Sequence, residues 1–177
     1  MNTELETRWN DLVHAQEAFL ASLNGWSDEQ LRKQAEGSWS ANQVLEHILI
    51  AETGTLGYMK KKSSSGWDVL EKTGEEHIQK SKAVNTRLAS PDRYQAPSVL
   101  PEPTNNYSFE QMNTQWKMLR EDMIKFISSV DDVHYDKLVF RQPIAGMLNL
   151  LQAMEFMNYH IRHHLPQIQR IKEAQGF

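Results

Sequence analysis

Asn149 to Ile171 reads NLLQAMEFMNYHIRHHLPQIQRI. Leu150, Leu151, Met154, Ile161, Leu165 and Ile168 recur at helical spacing, so they line one side of a cylinder that turns about 100° per residue. Asn149 stands where a helix cap belongs, and Gln152 is placed to reach back to it. Together they satisfy two amide N–H groups that would otherwise lack partners. Within this helix His160 and His164 lie one turn apart and only roughly 40° from each other in projection, which suits two imidazoles on one divalent ion. His163 falls roughly 180° from the apolar centre and is expected to face water. Pro166 has no N–H to offer the carbonyl of Arg162, so a bend beside His164 is expected.

The same pattern recurs upstream. Leu5, Trp9, Leu12, Val13, Phe19, Leu20 and Leu23 form a stripe from about Thr3 to Asn24, interrupted by Gln16 and ended by Gly25. Ser40 with Gln43 opens a second helix carrying Val44, Ile48, Ala51 and Thr55, expected to fade near Lys60. Ser108 with Gln111 opens another, with Phe109, Met112, Trp116, Leu119, Met123, Phe126, Ile127 and Val130 inward. Between them, Gly74 to Ala89 has helical leanings, and Pro91, Pro97, Pro101 and Pro103 hold the chain extended. The fold class expected is all-α: four long helices in a four-helix bundle, with a long crossover between the second and third, forming a single domain over residues 1–177.

Composition narrows the function. With 19 Lys and Arg against 23 Asp and Glu, the formal net charge is −4, which lacks the basic excess of a phosphate-backbone binder. Lys60, Lys61 and Lys62 are too few to reverse this, so no nucleic-acid partner is expected. There is no cysteine, so any metal must be held by His, Asp or Glu, and any thiol must come from a small molecule. No apolar run reaches the ~18 residues of a membrane span, and the first residues lack signal-peptide order, so a cytoplasmic location without a membrane partner is expected.

A third nitrogen to join His160 and His164 is available at His47, roughly 60° from Val44 at the edge of its apolar stripe and able to face inward. His14 lies on a polar face, and His77 and His134 occupy segments without a defined inward side. Gln16 and Asn158 read either as groups orienting the site or as buried amides satisfied elsewhere. Glu52, five residues beyond His47, lies on a rotated face where solvation is the default reading. Glu121 and Asp122 are further carboxylates whose approach spacing does not define. Trp39, just before a helix start, is expected to seal the end of the bundle.

WSANQVLEHILIAE, residues 39–52, resembles the pattern W-S-x-x-x-V-L-x-H of the DinB-like (DinB/YfiT) superfamily. HIRHHLPQI, residues 160–168, resembles that family's closing H-x-x-x-H-x-x-Q-I, and PIAGMLNLLQAMEF resembles the lead into its last helix. The resemblance implies an up-down-down-up bundle in which His47, His160 and His164 hold one divalent transition metal, with zinc, nickel and iron all acceptable to imidazole. It also implies a homodimer and a metal-dependent activity on a small-molecule substrate, by hydrolysis or by S-transfer from a low-molecular-weight thiol. Gln167 belongs to the closing motif and either orients a histidine or is exposed. It assigns no catalytic residue beyond the ligands. The rival reading is a non-catalytic bundle that dimerises or binds a small ligand.

Overall fold

The computed structural model describes residues 2–90 and 100–176. Pro91 and Pro97 of the expected extended connection lie outside these residues. The described chain is mostly helical: α1 (Thr3–Ser22), α2 (Asp28–Arg32), α3 (Ala41–Ser63), α4 (Glu75–Ala89), α5 (Phe109–Ser128) and α6 (Leu150–Gln175). One departure from all-α is a small antiparallel hairpin, β1 (Leu138–Gln142) with β2 (Gly146–Asn149). Its register pairs Phe140 with Leu148 and Gln142 with Gly146. The Gln142 side chain accepts from the amides of Ile144 and Ala145, and Gly146 takes φ 77° to close the turn. A β-branched side chain there would be strained, because its Cβ clashes in the left-handed region.

The helix starts follow from their caps. Gln43 N donates to Ser40 Oγ at 3.1 Å while Gln43 Oε1 accepts from Ser40 N at 3.0 Å. Ser108 with Gln111 and Asn149 with Gln152 close the same reciprocal pair. Each cap contributes about 1 kcal/mol to its helix. Asn149 additionally donates to Thr73 Oγ1 at 2.9 Å, which ties the start of α6 to the segment before α4. Gly25 follows α1 with φ 82°, so the helix stops at Ser22, slightly earlier than the apolar stripe suggests. In contrast α3 runs past Lys60 to Ser63, where Lys60 pairs with Asp122 of α5 at 2.5 Å. The link from Gly25 to Ser40 contains α2, capped by Ser27 and Gln30.

α6 packs on α1, α4 and α3, and α3 packs on α5. Phe19 of α1 meets Trp116 of α5 edge to face at 5.9 Å, and one cluster of buried apolar side chains draws on all six helices and both strands. Such burial supplies the main favourable term in folding. The crossover returns over α3 through a polar clasp. Glu46 accepts from Thr104 N, Thr104 Oγ1 and Asn105 N, each at 2.9 Å, and Asn42 Nδ2 donates to Tyr107 O at 2.8 Å. Gln43 Nε2 also donates to Pro103 O at 3.1 Å, so the segment around Pro103 is held as a strap beside the N-terminal half of α3.

Candidate metal centre

His47 projects from the second turn of α3, and His160 and His164 from one face of α6. The packing of these helices brings the three rings together although His47 and His160 are 113 residues apart. His160 Nε2 lies 3.2 Å from His47 Nε2 and 3.2 Å from His164 Nε2. One ligand atom from each ring lies within 4.8 Å of the others. His47 and His164 are buried, and His160 is half-buried. Pro166 lies inside an uninterrupted α6, and the missing N–H leaves His164 within the trio.

Hydrogen bonding sets the ring chemistry. His164 Nδ1 is 2.8 Å from Gln167 Oε1. An amide oxygen only accepts, so Nδ1 carries the proton and the neutral ring presents a bare lone pair at Nε2. His160 Nε2 has two nitrogen neighbours and at most one proton to share, so one close nitrogen pair is left without a bridging hydrogen. A cation would resolve that crowding, and three imidazole lone pairs are a fitting donor set for it.

Electrostatics point the same way. Burial lowers His47 from the ordinary 6.5 to about 4. His164 is lowered to about 3, first by burial and then by the neighbouring His47, against the opposing bond from Gln167. His160 is pushed well below its ordinary value by burial and by the other imidazoles. All three rings are therefore neutral at pH 7, the form that ligates metals.

Aromatic rings flank the trio. Trp39, expected to seal an end of the bundle, lies against the trio, with its ring 5.0 Å from that of His47 at 43°. Phe156, one turn before His160, stacks on it at 5.7 Å and 14°. Its i,i+4 spacing to His160 is the signal that identifies it in sequence. His163 does not face water as expected. It is half-buried with Nδ1 2.9 Å from Leu88 O, because α4 covers that flank of α6.

The other candidates are brought elsewhere. Glu52 is buried rather than solvated, bonded to Trp116 Nε1 at 2.6 Å and to Arg120 at 2.8 and 3.0 Å. Glu121 is exposed, and Asp122 is paired with Lys60. Asn158 Oδ1 accepts from Arg162 Nε, Gln16 is buried in α1, and His77 Nδ1 accepts from Gly74 N at the start of α4. His14 is exposed, and His134 stacks on Trp67.

A family model described as the DinB superfamily matches residues 11–168, which include all three histidines. The chain belongs to the DinB superfamily. This DinB chain is also 26% identical, over 153 residues, to the uncharacterized protein YuaE of Bacillus subtilis (strain 168). The match covers 85% of this chain and 88% of that one. No solved structure matches it. No helix among the described residues is long and apolar enough to cross a membrane.

Proposed function

We propose that His47, His160 and His164 bind one divalent transition-metal ion, zinc, nickel or iron, and that this DinB protein is a metal-dependent enzyme acting on a small molecule. The observation that carries the reading is the convergence of three neutral imidazole nitrogens within 4.8 Å. A bound divalent ion would supply Lewis acidity, lowering the pKa of water or a thiol at the site. Gln167 holds His164 in the tautomer with Nε2 free, Trp39 lies tilted against His47, and Phe156 stacks on His160, each covering one side of its ring.

Between hydrolysis and S-transfer, the carboxylates favour transfer. Hydrolysis benefits from a free general base near the reacting water. Glu52 is held by Arg120 and Trp116, Glu46 accepts three bonds from the strap, and Asp122 is paired with Lys60. A low-molecular-weight thiol that loses its proton at the centre needs no such base to become a nucleophile. The one-domain organisation and the up-down-down-up order of α1, α3, α5 and α6 are part of the same proposal.

Elemental analysis tests the ligand set. Purified wild type is expected to carry about one equivalent of metal per chain, as a single three-histidine site requires. A His47→Ala, His160→Ala double variant is expected to carry almost none. Equal contents overturn the proposal. Conversion of electrophile panels with and without added thiol separates S-transfer from hydrolysis.

A further inference from the structure

The chain has ten asparagines, and Asn24 alone precedes a glycine. With Gly25 it forms the tip of the turn that follows α1, closed by a bond from Trp26 N to Leu23 O at 3.3 Å. Leu23 and Trp26 anchor this turn in the core at 4% and 9% exposure, whereas Asn24 and Gly25 are exposed. Gly25 takes φ 82°, and a Cβ built on it meets nothing within 4 Å. The glycine therefore serves the backbone conformation of the turn and not a close contact.

Neither of the two groups that meet there is held. Among the described residues, nothing bonds to Gly25 N or to the Asn24 side-chain amide. Other asparagine side chains are in use. Asn2 accepts from Leu5 N at 3.0 Å, Asn42 and Asn105 bond to each other where the strap crosses α3, and Asn149 caps α6. Asn85 and Asn113 lie within α4 and α5, each before a β-branched threonine that crowds the following amide nitrogen.

This arrangement favours an internal acyl transfer. Once the Gly25 N–H gives its proton to hydroxide, the nitrogen attacks Asn24 Cγ and closes a five-membered imide. The Cγ–Nδ2 bond breaks, and Nδ2 takes a proton from water and leaves as ammonia, which regenerates the hydroxide. Water then opens the imide at either carbonyl, giving aspartate or, with the backbone rerouted through the side chain, isoaspartate. One water is consumed, one ammonia is released, and nothing is oxidised or reduced. Gly25 has no Cβ to obstruct the attack, and solvent reaches both residues.

We propose that Asn24 is a self-modification site, which converts to aspartate and isoaspartate in the folded protein. Either product places a carboxylate just beyond α1, whose last turn has no basic residue to offset the negative end of the helix dipole. Isoaspartate also lengthens the backbone between Leu23 and Trp26 by one carbon, so the link from α1 to α2 loosens as the protein ages. The site is independent of the histidine trio and of any metal there.

The test incubates the purified full chain at pH 8.5 and at pH 5, then maps its peptides by mass spectrometry, with isoaspartyl forms separated by chromatography. A mass gain of one dalton is expected at Asn24, located by fragmentation, growing with time and faster at pH 8.5. The other nine asparagines should stay intact over the same period. Protein unfolded in urea gives the rate without the fold, and the folded rate is expected to lie within about tenfold of it, an opening cost below about 1.4 kcal/mol. Asn24→Gln, which would have to close a six-membered ring, should fold as wild type does and lose the conversion. A folded protein that protects Asn24 by well over about tenfold overturns the proposal. So does conversion spread evenly over the asparagines, or a mass gain that persists in the same peptide of Asn24→Gln.

Discussion

His164 Nδ1 and Gln167 Oε1 stand 2.8 Å apart, one turn along the same helix. That bond decides which nitrogen of His164 is available to a ligand, because the proton is committed to the amide oxygen. Gln167→Leu keeps the volume and removes the acceptor. The expected outcome is a 10–100-fold loss of zinc affinity, a typical effect of deleting an outer partner of a ligating histidine. Gln167→Glu, which still accepts, should retain most of the affinity. Competition with a chromophoric chelator measures both, and equal affinity in wild type and Gln167→Leu removes the orienting role.

Acid should unfold the metal-free protein earlier than its carboxylates alone would require. His47 and His164 have values of about 4 and about 3 in the fold against an ordinary 6.5. Below 6.5 the unfolded chain takes up protons that the native rings refuse, so the unfolded state gains. The stability associated with these rings is complete above 6.5 and is lost progressively as pH falls towards 4 and 3. Urea midpoints of chelator-treated protein at pH 7.5 and pH 5 should show the drop, and His164→Gln should show a smaller one. An identical drop in both proteins would mean that the histidines are not its source.

What could be read from the chain was local. Ser40 with Gln43, Ser108 with Gln111 and Asn149 with Gln152 each act within one turn, and all three starts are where the spacing puts them. His160 and His164 share a face for the same reason. The distance from His47 to either depends on how α3 lies against α6, which no periodicity encodes, and there the family resemblance supplied the pairing. His163 is not one of the trio, yet its ring meets that of His164 edge to face at 5.5 Å and its Nδ1 faces Leu88 O, a covering by α4 that no wheel angle encodes. The hairpin leaves no signal in the sequence because its strands are five and four residues long, too short for a period to emerge.

Glu52 is buried where its place in the sequence predicts solvent for a related reason, since its partner Arg120 lies 68 residues away. The pair is buried, with side-chain exposures of 1% and 9%, and Arg120 also lies over the Trp116 ring at 5.6 Å. Glu52→Gln strands the guanidinium in an apolar core and is expected to cost about 3–5 kcal/mol. A Glu52→Leu, Arg120→Met double variant removes both charges and should recover most of that loss. Denaturant midpoints decide between them. If the double variant is as unstable as Glu52→Gln, packing rather than charge holds this part of the core.

Glu46 offers the last contrast, because it precedes His47 yet points to the opposite task. Its carboxylate accepts from two strap amides and the Thr104 hydroxyl, so Glu46→Ala leaves Thr104 N and Asn105 N without their acceptors. Each stranded donor costs about 1–3 kcal/mol unless water reaches it. Because the strap borders solvent at Tyr107, water should reach it, and the loss should fall near the lower end of that range. Hydrogen exchange should then quicken at Thr104 and Asn105 while the amides of α6 stay protected. Metal content should be unchanged, since none of the described strap residues bonds to the trio. Loss of metal in Glu46→Ala would instead mean that the strap sets the position of α3, and that His47 reaches its partners only while the crossover is fastened.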